Sequence, residues 1–401
     1  MAEQTENNYR VPRETHGRIF LRFLRFGLLA WGGPVAQIGM IRQQLVEEEK
    51  WISPERFNRV LAVYQALPGP EAHELCVYFG MLAGGRIGAV LAGLGFMLPG
   101  FVLMFALSWF YVSVGIASPV FGAVFLGMQP AVAALIARAV HRIGGHALGE
   151  NRWLWGIAAT AALAQLLQVN FLLILPAAGS VYACIGLRRT KLAFGLALLF
   201  FGWLAWTGVG AGSAPLSPDI PASVSTEAPD VWRFLFGGLR AGLLTFGGAY
   251  TAIPFLQHDA VEAGAWMSNA QFLDGLALSG LLPAPLIIFS TFVGYIGAGA
   301  WGAIAMTAGI FAPSFAFTLI GHDLLERVIE TRSVHAFLDG VTAGVVGLIA
   351  ATALGILNET VVGIHAWVIF SAALIVLFRS KAAWTVAAVV LAAGLFGAFF
   401  L

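Results

Sequence analysis

The chain has 401 residues, 59% of them hydrophobic and 11% charged, with a formal net charge of +1 and a mean hydropathy of +0.83. That much apolar surface exceeds what a soluble core buries, so the composition excludes an ordinary globular protein and points to a polytopic membrane protein. No basic run suggests a nucleic-acid partner, and the informative feature is where Lys and Arg fall along the chain.

Residues 1–18 read as a polar cytoplasmic tail without the pattern of a cleavable signal. An N-terminal repeat, 19–191, follows. It opens with an apolar run at 19–41 interrupted by Gly32-Gly33-Pro34, passes through a charged connector at 42–56, and continues with a second run from Phe57 to Gly84 interrupted by Leu67-Pro68-Gly69-Pro70. Continuous candidates come next at 87–112, 119–140, 152–169 and 171–187, each near the ~20 residues that cross a bilayer. An extra connecting helix at 192–211 and a Ser/Pro/Ala-rich linker at 212–231 lead to a C-terminal repeat, 232–401. That repeat has broken segments at 234–256 and 271–299 and continuous ones at 301–321, 335–356, 364–378 and 383–401.

The division into repeats rests on register. Pro68 and Pro283 stand 215 positions apart (283 − 68), and at that offset Arg18 matches Arg233, Arg25 matches Arg240, and Gly32-Gly33 matches Gly247-Gly248. Trp51 and Trp266, Ser53 and Ser268, and Phe57 and Phe272 follow. With one residue deleted, Gly80 matches Gly294 and Pro99 matches Pro313. Broken segments at corresponding places in two halves point to a secondary transporter's binding site.

Basic residues in the first half cluster after the fourth segment (Arg138, Arg142, Arg152) and the sixth (Arg188, Arg189, Lys191). In the second half they precede the fourth (Arg327, Arg332) and follow the fifth (Arg379, Lys381). By the positive-inside rule the halves take opposite orientations, with 192–211 supplying the odd crossing. If each broken segment doubles back, the 42–56 connector stays inside and its counterpart, 255–270, stays outside. If each crosses once, the connector lies outside. The expected fold class is therefore an all-α polytopic membrane protein of two inverted-topology repeats, with discontinuous or re-entrant helices at the Gly-Gly and Pro-x-Pro breaks.

Proline ends a helix on either side of each break, and freed backbone groups at membrane depth must be buried in protein or line a wet cavity. Pro70 suits the first position of the following half-helix, and the amides of Glu71, Ala72 and His73 then point into the break and suit an anion. Arg25 and Arg240, embedded in apolar runs, are candidate anion-binding cations, with snorkelling to the headgroups as the plainer alternative. Gly32-Gly33 and Gly247-Gly248 permit close approach of a ligand or of a neighbouring helix. Glu71, His73 and Glu74 face Leu286, Ile288 and Phe289 at matching positions. This asymmetry makes them proton-coupling candidates, or else helix-terminal and vestibule residues. His73, Glu74 and Cys76 make a poor metal set, since neighbours on a helix point about 100° apart. Cys76 and Cys184 read as buried thiols without a disulfide. Ala284, at the place of Gly69, predicts that alanine is tolerated there.

The chain resembles the chromate ion transporter family in its long, two-domain form. The likeness covers Phe20 to Leu401 and rests on FGLLAWGGPVAQIGMIRQQLVEEEKWIS and QALPGPEA in the first half, and GLLTFGGAYTAIP with the PxP run in the second. It implies motif roles for Arg25, Gly32, Gly33, Pro34, Pro68, Gly69 and Pro70, and for Arg240, Gly247, Gly248, Pro283 and Pro285. Ala284 departs from the family's glycine between the prolines. The implied activity is export of chromate, a tetrahedral dianion, giving chromate resistance from a multi-pass position in a bacterial inner membrane. No enzymatic activity, cofactor or metal is implied. A sulfate or other oxyanion permease or exchanger, a lipid-phosphate handling protein, and a homodimeric assembly stay open as alternatives.

Overall fold

A computed structural model describes residues 9–115, 118–189, 191–193, 195–196, 199, 202, 230–246, 248–329, 331–380, 382 and 384–400. The expected connecting helix and linker lie almost wholly outside these residues, as does Gly247. Every described element is helical. The first half consists of α1 (His16–Leu28), α2 (Pro34–Ile41) running into a π-helical turn (Arg42–Glu48), α3 (Pro54–Ala66), α4 (Glu71–Phe110), α5 (Pro119–Leu148), α6 (Arg152–Leu166) and α7 (Phe171–Gly186). The second consists of α8 (Val231–Leu243), a 3-10 turn (Ala249–Ala252) continuing as α9 (Ile253–Gln257) and a π-helical turn (His258–Ala263), then α10 (Asn269–Gly280), a 3-10 turn (Leu286–Ile288), α11 (Phe289–Ile329), α12 (Arg332–Thr360), α13 (Gly363–Arg379) and α14 (Thr385–Phe400). Four of these helices are long and apolar enough to cross a membrane, within Glu71–Val114, Val120–Leu148, Leu286–Gly321 and Ser333–Thr360.

The broken segments double back. In a straight helix Phe57 and Phe79 would lie about 30 Å apart, yet their ring centroids are 6.4 Å apart, and Trp51 meets Phe79 at 6.0 Å. The chain therefore rises along α3, turns at Leu67–Pro70 and descends along a short limb of α4, residues 71–83. α1 and α2 do the same around residues 29–33: Arg22 reaches forward to Glu49 at 2.6 Å and lies over the Trp51 ring at 5.3 Å. In the second half Trp266 Nε1 donates to the Val293 carbonyl at 3.3 Å, Phe272 meets Phe289 at 4.8 Å, and Arg233 lies over Trp266 at 5.0 Å. Local chemistry starts the limbs. Ser53 caps α3 ahead of Pro54, and Ser268 and Gln271 form a reciprocal capping box on α10.

Each short limb turns into a long one through a matched pair of residues. Gly84 and Gly85 take φ/ψ of −146/21 and 62/−155, while Ala298 and Gly299 take −149/29 and 59/−146. Left-handed φ favours glycine at the second position of each turn. The returning limbs then pack backbone to backbone, Gly80 on Gly88 and Gly294 on Gly302. Gly27 and Gly242 seat α1 and α8 on the carbonyls of Phe96 and Ile310, again in register. Small residues permit this closeness where no hydrophobic gradient drives helices together.

The long limb of α4, 86–110, starts beside His16 and Ile19, passes the hairpin tips and ends where the Tyr111 hydroxyl donates to Asp274 at 2.8 Å. The long limb of α11 starts at Gly299 and reaches the first half's hairpin, where Thr318 and Tyr64 share a 3.0 Å hydrogen bond. Outer helices are exchanged between halves. Gly340 and Gly347 of α12 lie on Ala178 of α7 and Ala158 of α6, while Gly127 of α5 lies on Ala393 of α14.

Candidate functional site

Four half-helix beginnings converge on one cavity of about 500 Å³. Gly32, Gly33, Pro34 and Val35 bring the start of α2; Glu71 that of α4; Gly248 and Tyr250 the turn leading to α9; Ala284 and Leu286 the turn leading to α11. Pro34 occupies the first position of α2, where a missing N–H costs nothing. Pro70 does not: it is the N-cap of α4, and its carbonyl accepts from His73 at 2.8 Å and Glu74 at 3.1 Å. The His73 amide is thus already paired, leaving the Glu71 and Ala72 amides as donors at this end. Aligned peptide dipoles give each such terminus about half a positive charge.

The cations of the cavity come from α5. Arg138, half-buried, and Arg142, exposed, stand four residues apart on one helical face with His146 a turn further on. Arg142 lies within electrostatic reach of Glu71, and neither arginine forms an ion pair among the described residues. His335, Asp339 and Thr342 of α12 complete the wall. The charge along α5 reads in the sequence as a topology marker. Arg138 falls inside the expected segment, whereas the lining role of Arg142 and His146 depends on α5 continuing to Leu148, eight residues past the expected end at 140.

The expected site residues separate into three groups. Gly32, Gly33, Gly248 and Glu71 line the cavity. Pro68, Gly69, Pro70 and Pro285 are buried behind it, as are His73 and Glu74, while Pro283 is half-buried. Arg25 and Arg240 are not among the lining residues. Arg25 is exposed at the end of α1. Arg240 pairs with Asp259, which is 6% exposed, and lies 5.6 Å from the Phe171 ring. The connector of the second half, which has no Lys or Arg, supplies the partner carboxylate. Of the two thiols, Cys76 is buried but Cys184 is only half-buried, because α7 turns that side toward the surface; both are free.

Gly69 is a joint between the hairpin tips of the two halves. Its amide donates to the Thr245 carbonyl at 2.8 Å, and its φ is +149°. A Cβ there would stand 2.7 Å from both Glu74 Oε1 and Ser314 Oγ. The expectation that alanine fits is therefore overturned: Gly69 takes a positive φ and Ala284 does not, so the two breaks are built differently behind their matching sequence. Glu74 and Ser314 are fully buried, and neither Glu74 oxygen nor Ser314 Oγ has a hydrogen-bond partner among the described residues. The His73 ring lies between Phe311 and Phe315, 4.8 Å from each.

Comparison with known proteins matches this architecture half by half. The profile described as chromate transporter matches residues 17–187 and again 232–398. A chromate transport protein of Pseudomonas aeruginosa is 55% identical over 390 residues, covering 96% of this chain and 92% of its own. One of Cupriavidus metallidurans is 30% identical over 362 residues, covering 88% and 86%. A probable chromate transport protein of Synechococcus elongatus is 29% identical over 332 residues, covering 82% and 81%. No solved structure matches the chain.

Proposed function

The chain belongs to the chromate transporter family, and we propose that it exports chromate from the cytoplasm across a bacterial inner membrane by alternating access, giving chromate resistance. The observation that carries this reading is the convergence of four half-helix N-termini on a cavity that also holds Arg138 and Arg142. Backbone donors with positive dipole, set beside guanidinium forks, suit a tetrahedral oxyanion dianion. Irregular backbone at membrane depth is tolerated where it lines such a cavity.

An inverted arrangement of the repeats is supported by the long limbs. Each starts at the base of its own half's hairpins and ends against the other half's, so the two sets of hairpins approach the tips from opposite ends. The cavity sits at the end marked by Arg138, Arg142 and Arg152, which the positive-inside rule assigns to the cytoplasm. Taking a dianion out of a negative-inside cell is downhill by about 2 × 2.3 kcal/mol per 100 mV. Arg25 and Arg240 contribute in this reading to insertion and to the shape of the first and third hairpins, while the anion contacts fall to Arg138, Arg142 and the Gly-Gly backbone.

Everted vesicles test the proposal. Energised vesicles containing the protein should accumulate radiolabelled chromate, and vesicles with Arg138→Gln and Arg142→Gln together should not. Accumulation only with an inverted potential would make the protein an uptake system. Accumulation of labelled sulfate in preference to chromate would make it a sulfate carrier.

A further inference from the structure

Glu74 is the buried acid at the joint that the anion site does not use; His73 beside it is as deeply buried, and its ring nitrogens also lack hydrogen-bond partners among the described residues. Glu74 lies a helical turn beyond Glu71, outside the lining of the cavity, with both oxygens fully buried and without a hydrogen-bond partner among the described residues. The gap left by the missing side chain of Gly69 is bounded by Glu74 Oε1 and Ser314 Oγ, each 2.7 Å from where a Cβ would be. One residue thereby connects three things: the carboxyl, the long limb of the opposite half, and the hydrogen bond from Gly69 to Thr245.

Among the described residues, the groups facing Glu74 give a carboxylate no counter-charge. Its own helix presents Glu71 and His73 and, a turn on, Tyr78. α3 presents Tyr64, bonded to Thr318. α11 presents Ser314 and Thr318, and the end of α8 presents Thr245. The long limb of α4 carries no charged residue between 87 and 110. Arg142 reaches Glu71, and Arg56 is engaged with the Tyr78 hydroxyl at 3.2 Å. A bare carboxylate in such a place pays its full desolvation, whereas the neutral acid pays far less.

We propose that Glu74 is a proton-binding site that travels occupied together with the anion, one proton for each dianion. The inference rests on the transport reading above. With Glu74 negative, a dianion one turn away beside Glu71 is repelled through low-dielectric surroundings; with Glu74 neutral, it is not. Anion and proton therefore share the loaded state. When the tips part, Gly69 leaves Thr245, the gap opens to water, and the acid loses its proton as the anion leaves. The step balances simply: one O–H bond forms when the carboxylate takes a proton from water on the loading side, and the same bond breaks to water on the other. Each cycle moves one net negative charge instead of two.

Proteoliposomes with the potential clamped by potassium and valinomycin read this directly, at pH values where chromate stays a dianion. In the wild type, the chromate concentration ratio held at equilibrium should change tenfold for each tenfold change in the proton ratio. Glu74→Gln should leave that ratio set by the potential alone, while Glu71→Gln should keep the tenfold dependence even if slower. Should the Gln variant not reach the membrane, Glu74→Asp, which keeps the acid, should retain the dependence. A wild-type ratio indifferent to the proton gradient, a ratio that follows sodium instead, or full proton dependence in Glu74→Gln would each overturn the assignment. If wild-type liposomes move no chromate at all, the transport reading itself falls, a result distinct from uncoupled transport.

Discussion

The amide of Gly69 donates to the carbonyl of Thr245 across 2.8 Å, so the tip of one half's hairpin is fastened to a break in the other. Because Gly69 sits at φ +149° with Glu74 and Ser314 crowding its missing side chain, a larger residue there strains the fastening. Gly69→Ala should reduce chromate transport at least tenfold at unchanged protein level. Adding Ser314→Gly removes one of the two crowding atoms and should recover part of the loss. Normal transport by the single alanine variant would mean the joint opens freely in the working cycle.

Arg138 and Arg142 should set anion affinity. Losing one charge-assisted contact costs roughly 1.5–3 kcal/mol, so Arg138→Gln or Arg142→Gln should raise the chromate KM about 10–100-fold. The matching Lys variants should retain part of the affinity, since charge remains while the planar fork is lost. Kinetics in vesicles, with sulfate as competitor, check this, and an unchanged KM in both Gln variants would move the anion site elsewhere.

Arg240 should prove structural. Its removal leaves Asp259, 6% exposed, without its partner, a loss of about 1–3 kcal/mol. Arg240→Gln should lower the thermal stability of the purified protein, and the double variant Arg240→Gln/Asp259→Asn should restore most of it, as expected of coupled residues. A transport defect in the double variant, despite recovered stability, would assign Arg240 a part in anion handling.

The doubled-back hairpins fix a pattern of accessibility. A single cysteine at Lys50 should label from the same side as one at Arg142, and one at Asn269 from the opposite side. Labelling of positions 50 and 269 from one common side would rule out inverted repeats.

The duplication is legible in the sequence because its markers are residues with few substitutes. Glycines lie where helices touch backbone to backbone, tryptophans where an arginine needs a ring, and prolines where a helix must stop. The doubling back is half legible: limb lengths and the charged connector allow it, and contacts such as Phe57 with Phe79 establish it. The cavity is less so. Arg138 and Arg142 lie on a helix whose apolar pattern runs out near 140, and no local signal says that its next two turns face the Gly-Gly breaks of both halves. The Arg240–Asp259 pair is hidden for a related reason, since the carboxylate sits 19 positions away across a turn whose geometry depends on tertiary packing. Glu74 stands out in an apolar run, but that it is fully buried away from the cavity while Glu71 lines it follows only from the tertiary packing.

The bond between Gly69 and Thr245 also imposes an order on biogenesis. The two residues are separated by 176 positions (245 − 69), which a ribosome adding roughly 5–20 residues per second takes about 9–35 s to synthesise. During that interval the nascent second hairpin has a tip donor with no acceptor, and α6 and α7 have not yet met α12, the helix they pack on. The N-terminal half is therefore not a finished folding unit when it leaves the translocon, although it contains every element of its repeat. Its short limbs must wait at the bilayer surface, or in the shelter of an insertase, until the second half is made.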